Sequence, residues 1–230
     1  MPLSNKVRYA YQLAHFKLRK HQEHPMKELI NPKLSIPYAK YKGAKVVVIH
    51  DIDNPGFEEE LHEMVDVERS RGVKSIIMLL RKTMYYAKIF HLNVGMHETF
   101  PYRFNKRLKY FSNMEIDVNS FSQHVAIKLT NFYPMILNKL PNQIQYVFVD
   151  PVSFGHKINH VMFYRPKKYK HITMISVVSE PTKKDIDNVL KECSKHRGVI
   201  AFNFHPDHFK KGDKYFPKNK ENFEYLIKKL

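Results

Sequence analysis

The stretch VVVIHDIDN places two carboxylates, Asp51 and Asp53, at the end of a run of β-favouring residues. Side chains two positions apart on an extended chain point to the same side. Asp51 and Asp53 can therefore face one cavity. Two anions held close raise each other's proton affinity unless a cation or a protonated group sits between them. A metal on one carboxylate leaves the other available as a general base. A purely structural reading competes with this one: Asp53 caps the next helix through the NPGF turn, and Asp51 pairs with a lysine.

The same kind of residue recurs at other strand ends. KIFHLNVG, read as a strand, runs into Met96 and His97. IQYVFV runs into Asp150 and Pro151, HITMISVV into Ser179 and Glu180, and VIAFNF into His205 and Pro206. In parallel α/β barrels the C-terminal strand ends share one rim, and active sites form there. These groups can thus converge although they lie far apart in sequence. Two histidine pairs, His21 with His24 and His156 with His160, also have spacings a metal could use. In a chain with 14 histidines such pairs arise by chance.

The elements that must position these groups follow a strand–helix alternation from Lys45 onward. KVVVIH, VKSIIMLL, IQYVFV, HITMISVV and VIAFNF are short apolar strands. FEEELHEMVDVERSRG is a helix with Phe57, Leu61, Met64, Val65 and Glu68 on one face and Gly72 at its end. NSFSQHVAIKLTNFYPMILNKL reads as a helix with a break before Pro134. TKKDIDNVLKECSKHRG has Thr182 and Asp185 at capping-box spacing, Gly198 as its cap, and Cys193 on the buried face. NKENFEYLIKKL closes with Phe223, Leu226, Ile227 and Leu230 on one face. Such alternation predicts an α/β fold with a largely parallel sheet. No GxGxxG or GxxxxGK[ST] motif is present, which removes the usual support for dinucleotide or P-loop nucleotide binding.

Composition bounds the reading. The 230 residues are 43% apolar, which excludes wholesale disorder and suffices for a sizeable core. The single cysteine cannot form an internal disulfide. Formal net charge is +17, and residues 1–45 hold ten Lys/Arg against two Glu. Residues 51–68 reverse the sign, with eight Asp/Glu and no Lys or Arg. The basic excess attracts anions such as nucleic acid, anionic lipid or acidic glycan, or serves solubility alone. Residues 1–44 read as a basic extension: a helix carrying Val7, Tyr11, Ala14 and Leu18, then an extended linker, NPKLSIPYAKYKG. YAYQLAHFKLRK interleaves aromatics with cations, which suits base stacking and phosphate contact; the alternative is a helix packed on the body with its lysines in water. No export signal or membrane span is apparent, so the expected location is cytoplasmic.

The order of the motifs is specific. HDID, a helix ending in ERSRGVK with the strand SIIMLL, then NVGMH, then a late NFHP, resembles the polysaccharide deacetylase family. The resemblance runs from about Lys45 to the C-terminus. It implies an irregular (β/α) barrel of seven or eight mostly parallel strands over residues 45–230. It also implies a metal-dependent hydrolase of carbon–nitrogen bonds, which removes an acetyl group from an N-acetylated sugar or a related amide. Carried over, Asp51 is the general base and His205 the general acid, while Asp53 and His97 bind a divalent metal, zinc above all. The roles of Asp51 and Asp53 are exchangeable, because Ile52 separates aspartates that are commonly adjacent in the family.

Two further departures bear on the site. The family's second metal histidine lies four residues after the first, and Pro101 occupies that position here. The family's arginine–proline motif has no clean counterpart: Asp150-Pro151 falls in its place by order, and Arg165-Pro166 has its residue types but comes later in the chain. His50, Glu98 and His156 are candidates for a further ligand, and Glu180 lies at a strand end of its own. The implied partner is a carbohydrate or glycoconjugate substrate. The alternatives are a degenerate barrel that binds glycan without turnover, and a nucleic-acid or anionic-surface binder acting through the basic segment.

Overall fold

The computed structural model describes residues 33–98, 103–123, 140–149, 163–164, 171–210, 213 and 217–230. Nine strands are present among them: β1 Ala39–Tyr41, β2 Ala44–Ile52, β3 Ser75–Leu79, β4 Asn93–Glu98, β5 Ser120–Gln123, β6 Tyr146–Val149, β7 Phe163–Tyr164, β8 Thr173–Ser179 and β9 Val199–Asn203. The helices are α1 Glu58–Ser70, α2 Tyr86–Phe90, α3 Phe104–Asn113, α4 Lys183–Lys195 and α5 Asn219–Lys229. Strands β2, β3, β4, β5, β6, β8 and β9 pair in parallel, and β9 returns to β2, so the sheet closes into a barrel. This is the barrel that the motif order implies. Strands β1 and β7 add antiparallel to β2 and β8.

The period-two alternation of each strand sorts side chains into the barrel or outward. On β2, Val47 and Ile49 join Ile76, Met78, Tyr146, Phe148, Ile175, Val177, Val199 and Ala201 in one buried interior cluster. Val46 and Val48 face the other way and pack under α1, α4 and α5, against Met64, Ile186, Val189, Leu190, Cys193, Phe223, Leu226 and Ile227. A third cluster covers the outside of β3 and β4, where Leu61 and Val65 meet Tyr86, Phe90, Phe104 and Phe111. Cys193 is buried as its helical spacing predicts, and burial pushes its thiol pKa up to about 12.

The helix ends explain the connections. Three glutamates, Glu58 to Glu60, occupy the first turn of α1, where the helix dipole favours negative charge. Gly72 then takes φ +68°, and the N–H of Val73 reaches back to the carbonyl of Glu68, a Schellman stop. Helix α4 starts on the expected capping box: Thr182 Oγ1 accepts from the Asp185 N–H, and the Asp185 carboxylate accepts from the Thr182 N–H. Its left-handed stop is Arg197 at φ +49°, one residue before the expected Gly198, whose N–H bonds to the Cys193 carbonyl.

Two expectations are revised. KIFHLNVG is not one strand: Tyr86–Phe90 is helical, with Tyr86, Ala87 and Phe90 buried at helical spacing, and left-handed His91 turns the chain into β4. NSFSQ is not helical; Ser120–Gln123 bridges β4 and β6. The linker segment packs onto the barrel: β1 pairs with β2, and Ile36 joins the interior cluster with Leu34 and Tyr38 beside it. The helix expected in residues 1–32, and with it the nucleic-acid reading, lies outside the described residues. Among the described residues, no helix is long and apolar enough to cross a membrane.

Candidate active site at the C-terminal rim of the barrel

The interior changes character along the barrel axis. Val47 and Ile49 on β2 give way to Asp51, and Val199 and Ala201 on β9 give way to Asn203. On β4 the inward positions are Gly95 and His97. A Cβ at Gly95 would collide with Met78 Sδ and stand 2.7 Å from Ser120 Oγ, so glycine makes room for the methionine beneath the site. The polar layer above it draws on β2, β4, β5, β8 and β9.

Asp51 is buried and held on both oxygens. Asn203 Nδ2 donates to Oδ2 at 2.8 Å, and Ser122 Oγ donates to Oδ1 at 3.1 Å. The Asp51 backbone N–H donates to Asn203 Oδ1 at 3.2 Å, so one asparagine fixes both ends of the residue. Ser122 Oγ also lies 2.6 Å from His97 Nδ1. The serine has one hydrogen and gives it to Asp51, so Nδ1 is the donor in this contact. His97 Nε2 is thereby turned toward Asp53, 3.1 Å from Oδ1. Asp53 does not cap α1: the N-cap position is Phe57, with no side-chain cap.

His205 approaches from the β9 end. Glu180 Oε1 accepts from its backbone N–H at 2.7 Å and from Nδ1 at 2.5 Å. Nε2 stands 3.8 Å from Asp51 Oδ2. Burial works against the imidazolium charge, yet the Glu180 hydrogen bond and the charges of Asp51, Glu180 and Asp53 outweigh it and push the pKa up to about 10. Glu180 itself has φ +46°, a costly conformation for a residue with a Cβ, and its N–H is tied to the Asn203 carbonyl at 2.9 Å.

The structure therefore brings together Asp51, Asp53, His97, Glu180 and His205. It turns His50 and Glu98 away. His50 lies on the outer side of β2, fully buried, with Nε2 2.8 Å from Glu68 Oε1 and Nδ1 3.2 Å from the Phe204 carbonyl oxygen. Glu98 forms a buried ion pair with Arg107 of α3. Asp150, His156 and Arg165, together with Pro101, lie outside the described residues. Three contributors went unrecognised in the sequence. Asn203 ends β9 two positions before His205, and a neutral side chain there carries no signal of its own. Ser122 sits on a strand that was read as helix. His208 is one turn of 3-10 helix beyond His205, in Pro206–His208.

The implied metal can be tested against these donors. Asp53 and His97 offer one carboxylate oxygen and one imidazole nitrogen, fewer than a closed or catalytic zinc site uses. Among the described residues no third His, Cys, Asp or Glu completes that pair. Among the described residues the expected pair thus supplies two donors and no complete site. Three donors do gather elsewhere: ligand atoms of Glu180, His205 and His208 lie within 4.8 Å of one another.

No family model matches the chain, and no curated protein matches it. Among solved structures it is similar to a Bordetella bronchiseptica protein provisionally named a polysaccharide deacetylase involved in O-antigen biosynthesis, with 15% identity, 81% of each chain covered and a TM-score of 0.47.

Proposed function

We propose that the protein is a hydrolase that removes an acetyl group from an N-acetylated sugar or a related amide. The supporting observation is the pairing of Asp51 with His205 at one rim: a carboxylate fixed by Ser122 and Asn203, and an imidazolium fixed by Glu180. Amide hydrolysis needs these two groups. A base takes a proton from the attacking water, and an acid gives a proton to the leaving amine nitrogen. The attacking oxygen and the leaving nitrogen share one carbon, so base and acid need only be neighbours, as Asp51 Oδ2 and His205 Nε2 are at 3.8 Å.

Asp51 accepts the water proton. His205, charged at neutral pH, donates from Nε2 while Glu180 holds Nδ1. His97 stands at the opposite side of Asp51 and orders Ser122. The carbohydrate substrate is the class implied by the motif order, and the cytoplasm is the compartment we assign to it. The divalent ion implied by the same resemblance would polarise the acetyl oxygen; the Asp53–His97 pair does not complete a site for it, and no step above depends on it.

The test is acetate release by the purified full chain from a panel of N-acetylated sugars, with and without added zinc. Acetate and free amine should appear in equal amounts. A panel that yields no acetate under either condition would remove the enzymatic reading and leave a glycan-binding barrel.

A further inference from the structure

We propose that Glu180, His205 and His208 form a divalent-cation site of the zinc class, across the rim from the Asp53–His97 pair. Their ligand atoms already lie within 4.8 Å of one another, a carboxylate and two imidazoles, which is a common zinc donor set. Glu180 is the anchor. Its side chain is 5% exposed. Its Oε2 is buried and makes no hydrogen bond among the described residues. A buried carboxylate oxygen without a partner is costly, and a cation is the partner that would offset the cost.

The two histidines are oriented for the role. His208 Nδ1 lies 3.3 Å from Asp213 Oδ2, the carboxylate–imidazole contact that commonly orients a metal-bound histidine. His205 Nδ1 shares a proton with Glu180 Oε1 at 2.5 Å, and an ion entering between them takes the place of that proton. Nε2 of His205 then keeps its own hydrogen toward Asp51. His208 also lines a surface cleft in which five glutamates, Glu59, Glu60, Glu63, Glu221 and Glu224, outnumber Lys210 and Lys220, a net acidic patch on an otherwise basic protein. Such a cleft concentrates cations.

One consequence rests on the proposed function. An ion on His205 Nδ1 leaves the Nε2 hydrogen in place but on a ring that is no longer an imidazolium and is a far weaker acid, so occupancy of this site would slow acetyl removal. The binding claim is independent of that step and is tested by binding alone. Zinc uptake by the chelator-stripped full chain is followed by titration calorimetry for wild type, Glu180→Gln, His208→Ala and Asp53→Ala. The wild type should bind one ion. Glu180→Gln and His208→Ala should bind at least tenfold more weakly, and Asp53→Ala should match the wild type. Should His208→Ala lose its cooperative unfolding transition, His208→Gln carries the same expectation. A wild type that takes up no zinc would overturn the proposal, as would binding lost in Asp53→Ala and retained in the His208 variant.

Discussion

Asp51 and Asn203 act as one unit. The asparagine amide grips the carboxylate with its nitrogen and the backbone N–H with its oxygen, so the base has no freedom to turn. Removing that grip leaves the carboxylate in place chemically but not geometrically. Asn203→Ala should therefore lower kcat for acetate release on the order of 10²-fold, since small misplacements of a reacting group have effects of that size, with KM little changed. A fall in substrate affinity at constant kcat would assign Asn203 to binding instead. Neither Asn203 nor Ser122 was legible as a site residue. A neutral polar side chain within a strand leaves no periodic or charge signature, and only the closed barrel shows that both turn inward beside Asp51. The acidic and imidazole groups were legible because such groups rarely end apolar strands without a task.

At the scale of elements, the walls of the site are held by contacts on the reverse side of the same strands. His50, one residue before Asp51, is clamped between Glu68 and the carbonyl preceding His205, and Ser75 Oγ donates to the second Glu68 oxygen at 2.6 Å. This cluster joins β2, β3, α1 and the end of β9. Glu68→Ala would strand a buried imidazole and a buried hydroxyl, and should lower unfolding free energy in urea by about 3–5 kcal/mol. A change below about 1 kcal/mol would mean that water replaces the carboxylate. Gly95→Ala should cost about 1–3 kcal/mol by overpacking against Met78 and Ser120. Most strands and three of the helices were legible from period and caps. Helix α2 and strand β5 were not: each is short, and each joins a longer apolar run of a different period. Helix α3 was not anticipated at all, although its buried face, Phe104, Arg107, Leu108 and Phe111, has helical spacing; the charged Arg107 interrupts the pattern and is explained only by its ion pair with Glu98.

For the whole molecule, the barrel has a floor as well as a rim. Ile36 is 5% exposed and packs with Val47, Val199 and Ala201 at the end opposite to Asp51. The backbone N–H of neighbouring Ser35 donates to Tyr146 Oη at 2.8 Å. Ile36→Ala should destabilise the fold by about 2–5 kcal/mol, as for other buried isoleucines, without altering KM. A neutral effect on stability would place residues 33–38 outside the cooperative unit. Charge is also organised at this scale: the acidic run of residues 51–68 forms the first wall of the site and the helix beside it, while the chain as a whole carries +17. A local negative field at the rim favours a cation or a protonated imidazole there, and both proposals use it.

The most direct measurement compares acetate release from an N-acetylated sugar by the wild type and by Asp51→Asn, which keeps the size of the residue but exchanges one acceptor oxygen for an amide nitrogen and cannot accept the water proton. General-base catalysis is worth about 10²–10⁴-fold, so the variant should fall by at least 10² in kcat with its unfolding transition intact. A variant that hydrolyses at the wild-type rate would contradict the assignment of Asp51 as the base, and with it the placement of the reaction at this rim.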